Sequence, residues 1–128
     1  DVQLLRRVKK HILEDPRRLD MEQWLDSDVV GDDAPTCGTV GCIAGWIVKL
    51  GNPQAVLKRR EEYLDFGAEA ARILGMAYGN GSPLYGLFFT TRWPARICDE
   101  YFNTASQQRR AEIVVEQIDK FIRRWGAG

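Results

Sequence analysis

Cys37 and Cys42 bracket Gly38, Thr39 and Gly41 in the run Cys37-Gly38-Thr39-Val40-Gly41-Cys42-Ile43-Ala44-Gly45-Trp46. A helix running from about Thr39 to Leu50 would set Cys37 and Gly38 at its entrance. Free amides point outward there, and the helix dipole adds partial positive charge. Such a position suits a phosphate or carboxylate, or lowers the pKa of an adjacent thiol. Thr39 would cap the helix or offer its hydroxyl to a ligand. Gly41 and Gly45 would then share one helix face with Ala44 beside them, letting a backbone, ring or ligand come close. An interior glycine costs about 1 kcal/mol against alanine, so two of them ask for a spatial reason, either close helix packing or a pocket floor.

The thiols admit several chemistries. Cys37-x4-Cys42 is not the two-residue spacing of zinc ligands, and a site would need all of Cys37, Cys42, Cys98 and the sole histidine, His11. No metal is expected. A catalytic Cys37 would need a base in reach, again His11. A Cys37–Cys42 redox pair lacks the usual motif. Buried, small, apolar thiols fit the pattern best. Asp26 to Asp33 resembles a calcium loop but puts Val30 at the fifth position and Cys37 at the twelfth, so it reads as a solvated acidic loop.

A second polar element, Thr90-Thr91-Arg92-Trp93, lies between two apolar segments. Arg92 and Arg96 could meet an anion there while an aromatic ring stacks on a base or sugar. Trp24, Trp46, Trp93 and Trp125 otherwise suit the core.

Composition bounds the function. The 128 residues suffice for one domain, with 45% hydrophobic and 28% charged residues, ordinary for a globular chain. Eighteen basic and eighteen acidic residues cancel, so no overall field draws the chain to nucleic acid or anionic membrane. Locally, Arg6, Arg7, Lys9, Lys10, Arg17 and Arg18 make the start basic, while Asp20 to Asp33 carries only carboxylates among its charged residues. No apolar run approaches the roughly eighteen residues of a membrane span. Three cysteines without an apolar leader argue against a secreted disulfide framework, and a cytoplasmic setting with reduced thiols is expected.

The elements that must position these residues read as helices. Leu4, Leu5, Val8, Ile12 and Leu13 form the inward stripe of a first helix, ended by Asp15-Pro16. Leu19, Met21, Trp24 and Leu25 suggest a short helix or turn, and residues 26 to 36 a loop. Gly51 would stop the Thr39 helix, and Asn52-Pro53 would start another. Residues 55 to 65 fit a helix or a small hairpin. Next come a helix over Phe66 to Met76, a turn at Gly79-Asn80-Gly81 and a Ser82-Pro83 start through Phe89. Trp93-Pro94 marks a further start, with Ile97, Cys98, Tyr101 and Phe102 inward. In the C-terminal helix Thr104 and Gln107 fit a capping box, and Ala111, Val114, Val115, Ile118, Phe121, Ile122 and Trp125 form an apolar stripe. Glu116–Lys120 and Asp119–Arg123 are candidate i,i+4 pairs. The expected fold is all-α: one domain, residues 1–128, of about six helices, with the Cys37–Trp46 helix central and packed on the C-terminal one.

Met21-x-x-Trp24, Cys37-Gly38-Thr39-x-x-Cys42-x-x-Gly45, Leu87-Phe88 and Trp93-Pro94, in that order from about residue 19 to residue 95, resemble a family of small uncharacterised bacterial and phage proteins. The resemblance implies a compact, mainly helical cytoplasmic protein often carried by phages or mobile elements, and supplies no catalytic residue. The charged stretch Lys58 to Glu62 departs from the group. No acid, base and nucleophile converge in the sequence, so the leading expectation is a binding protein without a cofactor, taking a small anionic or nucleotide-like ligand. Trp24, Trp46, Tyr85 and Trp93 would be its walls, and Gly38, Thr39, Arg92 and Arg96 its anion contacts. Sequestering a host signal, or inhibiting a host protein, would suit a phage-borne protein. The alternatives are a thiol enzyme or redox protein using Cys37 with His11, and an adaptor using the basic Arg6–Arg18 face.

Overall fold

Apolar residues at three- and four-residue spacing recur along most of this chain, and the computed structural model places helices on them. It describes residues 2–21, 25–26, 40–58, 65–79 and 82–125. Among these, seven α-helices run α1 (Val2–Glu14), α2 (Ile43–Gly51), α3 (Pro53–Lys58), α4 (Phe66–Leu74), α5 (Pro83–Phe88), α6 (Ala95–Asn103) and α7 (Gln107–Trp125). Pro16–Arg18 and Thr90–Arg92 are 3-10 turns. The fold is all-α. Its extended pairing among the described residues is β1 (Leu25–Asp26) antiparallel to β2 (Val40–Gly41), with a single parallel bridge from Leu19 to Gly41.

Local signals set most helix ends. Asp15 follows α1 and caps the next turn, its carboxylate accepting from the Arg17 amide at 3.2 Å. Asp65 caps α4 by accepting from Ala68 N–H at 3.1 Å, and Ser82 caps α5 from Leu84 N–H at 3.1 Å. Residues 53–58 are helical, which removes the hairpin from that part of the ambiguous stretch; 59–64 lie outside the described residues. Leu25 is in an extended pairing, not a helix.

Three expectations shift. The helix expected from Thr39 begins at Ile43, because Val40 and Gly41 pair with β1 and Cys42 becomes the cap. Gly51 is the last residue of α2 rather than its stop; a side chain there would meet Ile73 Cγ2 at 2.9 Å and Leu4 Cδ2 at 3.0 Å. The capping box at Thr104 gives way to Ser106, whose hydroxyl accepts from Arg109 N–H at 3.1 Å. Gln107 instead reaches across the fold and donates to the Pro16 and Leu19 carbonyls at 2.8 and 2.9 Å.

All of Ile43–Val48 is buried, so α2 is enclosed on every side, as an all-round apolar helix requires. Its neighbours are α1, α3, α4 and α5, whereas α7 packs on α1, α5 and α6. The central helix packs chiefly on α4 and α1, not on the C-terminal helix as expected. Val8, Ile12, Trp46, Ile47, Leu84, Ile113 and Ile118 join one hydrophobic cluster. Leu13 and Phe102 are exposed. Leu13 lies about 100° round the helix from Ile12, off the stripe that α1 buries.

Candidate functional site

Two regions carry the candidate residues, and they differ in kind. Trp24, Cys37, Gly38 and Thr39 lie outside the described residues. The chain from Val40 onward does not build a helix-entrance cradle. Gly41 is in β2, its carbonyl accepting from Asp20 N–H at 3.0 Å, so Gly41 and Gly45 do not share a helix face. The Gly45 amide donates to Cys42 Sγ at 3.4 Å. Burial pushes the Cys42 thiol up to about 11, outweighing the pull of the nearby amides. Cys42 is a buried apolar cap, and Cys98 is half-buried on α6.

Trp46 belongs to the core, and the half-buried His11 packs against it. The Trp46 indole, 2% exposed, donates its N–H to the Arg18 carbonyl at 2.8 Å, and the His11 ring meets it edge-on at 4.2 Å. Arg18 donates to the His11 carbonyl at 2.7 Å and faces Nδ1 at 3.1 Å. Burial first, then the Arg18 charge, holds the imidazole below its ordinary value. A neutral ring with Nδ1 as acceptor leaves its proton on Nε2, which is buried without a partner among the described residues. Arg18 is thereby turned inward, leaving the basic face expected over Arg6 to Arg18, while Lys9 is paired with Asp119 of α7.

The second region is a cleft of about 410 Å³ between α5, the Thr90–Arg92 turn and α7. Tyr85, Arg92 and Trp93 come together on its wall. Ser82-Pro83 starts a helix of six residues whose end delivers the chain into the Thr90–Arg92 turn, which carries Arg92 back over the Tyr85 ring at 5.7 Å. Trp93 is a fixed wall: it donates to the Leu87 carbonyl at 3.4 Å and abuts Tyr101 edge-on at 5.7 Å. Ser82 uses its hydroxyl within the fold, donating to the Ala77 carbonyl at 2.7 Å. Arg96 is exposed on α6, where its charge helps hold Glu100 low behind the larger effect of Arg109; it does not line this cleft.

The opposite wall comes from α7 and was missed in the sequence. Gln117, Lys120, Phe121, Arg124 and Trp125 line it at i, i+3, i+4, i+7 and i+8, one helix stripe. The signal was present: Gln117 stands among positions that otherwise read as apolar. Gln117 is 8% exposed, and its side chain makes no hydrogen bond among the described residues. Unlike His11 Nε2 and Arg18 Nε, its amide atoms are not sealed in, so they are reached from the cleft.

Arg92, Lys120 and Arg124 have no carboxylate partner among the described residues. Glu116, one turn before Lys120, is held by Arg109 at 3.2 Å. Arg124 lies over the Trp125 ring at 5.3 Å, and that indole is 47% exposed, although the apolar stripe placed it inward. Trp125 also borders an apolar groove of about 340 Å³ formed with Val2, Leu5, Leu74 and Met76. The cleft thus combines three cations without a carboxylate among the described residues, two of them lying over the Tyr85 and Trp125 rings, with the carboxamide of Gln117. The carbonyl end of α7 adds partial negative charge, so an anion here must be held by side chains.

Comparison with protein-family models, curated proteins and solved structures gives no match to this chain. Among the described residues no helix is long and apolar enough to cross a membrane.

Proposed function

We propose that this protein binds, without converting, a small ligand that joins a flat ring to an anionic group, and that the cleft between α5 and α7 receives it. The observation that carries this reading is a convergence of cations on one cleft. Arg92, Lys120 and Arg124, without acidic partners among the described residues, meet there beside the Gln117 side chain, which makes no hydrogen bond among those residues. Cations left unpaired beside exposed ring surface suit a ligand that supplies the missing negative charge. Tyr85 and Trp125 offer rings for its flat part, and the buried Trp93 closes the wall. The cleft volume sits in the lower part of the range for small-ligand sites, about 300–1,000 Å³. Of the residues expected to bind, this site uses Tyr85, Arg92 and Trp93, and it replaces the helix-entrance contacts with side chains of α7. Sequestration of a small signal is the role such a site would serve.

Phenyl phosphate is the direct probe, with tryptophan fluorescence and calorimetry as readouts. Saturable binding is expected, weakening about three- to tenfold in each of Arg92→Ala, Lys120→Ala and Arg124→Ala. Absence of saturable binding by phenyl phosphate or by any nucleotide overturns the proposal.

A further inference from the structure

We infer that the ligand is a nucleoside monophosphate and that Gln117 reads the hydrogen-bonding edge of its base. This rests on the proposed anion-binding cleft and narrows it, because cations and rings alone would accept any aryl phosphate.

The distinguishing feature is the placement of Gln117. Its neighbours on the buried side of α7, Ile113, Val114, Ile118 and Phe121, are all apolar. Leucine in its place would extend that surface with no polar group to satisfy. A carboxamide presents a donor and an acceptor side by side. That pair matches the adjacent donor and acceptor on the edge of a nucleobase, and a benzene ring offers neither. A ligand that covers the Gln117 amide without offering such an edge strips its water and leaves it unsatisfied, so recognition discriminates at this position. Trp125, half-exposed with Arg124 over one face, supplies a ring on which a base can stack. The positive charge of Arg92, Lys120 and Arg124 suits a doubly charged phosphate better than a single carboxylate, and the volume of about 410 Å³ suits one nucleotide rather than two.

The test uses the full chain with phenyl phosphate, UMP and AMP as probes in calorimetry. At least one nucleotide should bind ten times or more tighter than phenyl phosphate. Gln117→Leu should weaken that nucleotide about tenfold, to the phenyl phosphate level, with the melting temperature unchanged or raised. In the unmodified protein, the Gln117 side-chain amide resonance should move with the nucleotide and stay still with phenyl phosphate, a readout independent of how the variant folds. Equal affinity for phenyl phosphate and both nucleotides overturns the inference while sparing the anion-binding reading. So does a preference that survives Gln117→Leu, or an unmoved Gln117 amide. If none of the three probes binds, both fall together.

Discussion

Glu116 accepts from Arg109 at 3.2 Å, seven residues back along α7, and not from Lys120 one turn ahead. Arg109 also holds Glu100 of α6 at 2.7 Å. A guanidinium that bridges two helices has taken the carboxylate that the i,i+4 spacing had assigned to Lys120, and Lys120 is left at the cleft. Asp119 behaves in the same way, pairing with Lys9 of α1 in place of Arg123.

Arg109→Leu should therefore weaken the site without touching it. Glu116, released, becomes an i,i+4 partner for Lys120 and competes with the ligand's anion, lowering phenyl phosphate affinity about twofold. Glu116→Gln in the same background should restore it, and high salt should shrink the effect. Calorimetry at two salt concentrations checks this; an affinity unchanged at low salt would show that Lys120 is not governed by Glu116.

His11 predicts a direction for acid stability. Burial and Arg18 lower its folded value below the unfolded 6.5, so between the two values the unfolded chain binds more protons. Stability is full above pH 6.5 and is lost as pH falls from there through the folded value. Thermal melts from about pH 7.5 to about pH 5 should show this loss in the natural protein and a flatter profile in His11→Phe. Parallel profiles would remove His11 as the cause.

Cys42 should be inert in the folded protein. With its thiol buried and pushed up to about 11, almost none is thiolate at about pH 8. Alkylation followed by peptide mass spectrometry should find Cys98 modified before Cys42, and urea should equalise them. Rapid native modification of Cys42 would contradict its placement.

Gly67 is needed for its lack of a side chain. A Cβ there would lie 2.1 Å from the Tyr78 hydroxyl and 2.3 Å from its Cζ, and Tyr78 is itself braced by Tyr85 at 5.1 Å. Gly67→Ala should cost about 1–3 kcal/mol by displacing that ring, despite alanine's better helix propensity. Combined with Tyr78→Ala the cost should vanish, which urea titration of the four-member cycle measures.

Helix identity was legible because its signals are local. The stripe Leu4-Leu5-Val8-Ile12, the stops and starts at Asp15-Pro16, Ser82-Pro83 and Trp93-Pro94, and the long apolar repeat of α7 act over one or two turns, where backbone sterics and capping decide. Tyr85, Arg92 and Trp93 could be singled out together because short sequence separation keeps them together. The other half of the cleft could not. Gln117, Lys120, Arg124 and Trp125 lie far along the chain from Tyr85; Lys120, Arg124 and Trp125 each had an adequate local explanation as a helix surface, ion-pair or core residue, and Gln117 marked only a break in an apolar stripe. Only the docking of α7 beside α5 sets them opposite Tyr85 and Arg92. The tertiary partners Arg109 and Lys9 likewise redirect the acids that spacing alone had assigned. Periodicity determines which face of a helix is buried; which charges are left uncommitted depends on contacts between helices that no local spacing records.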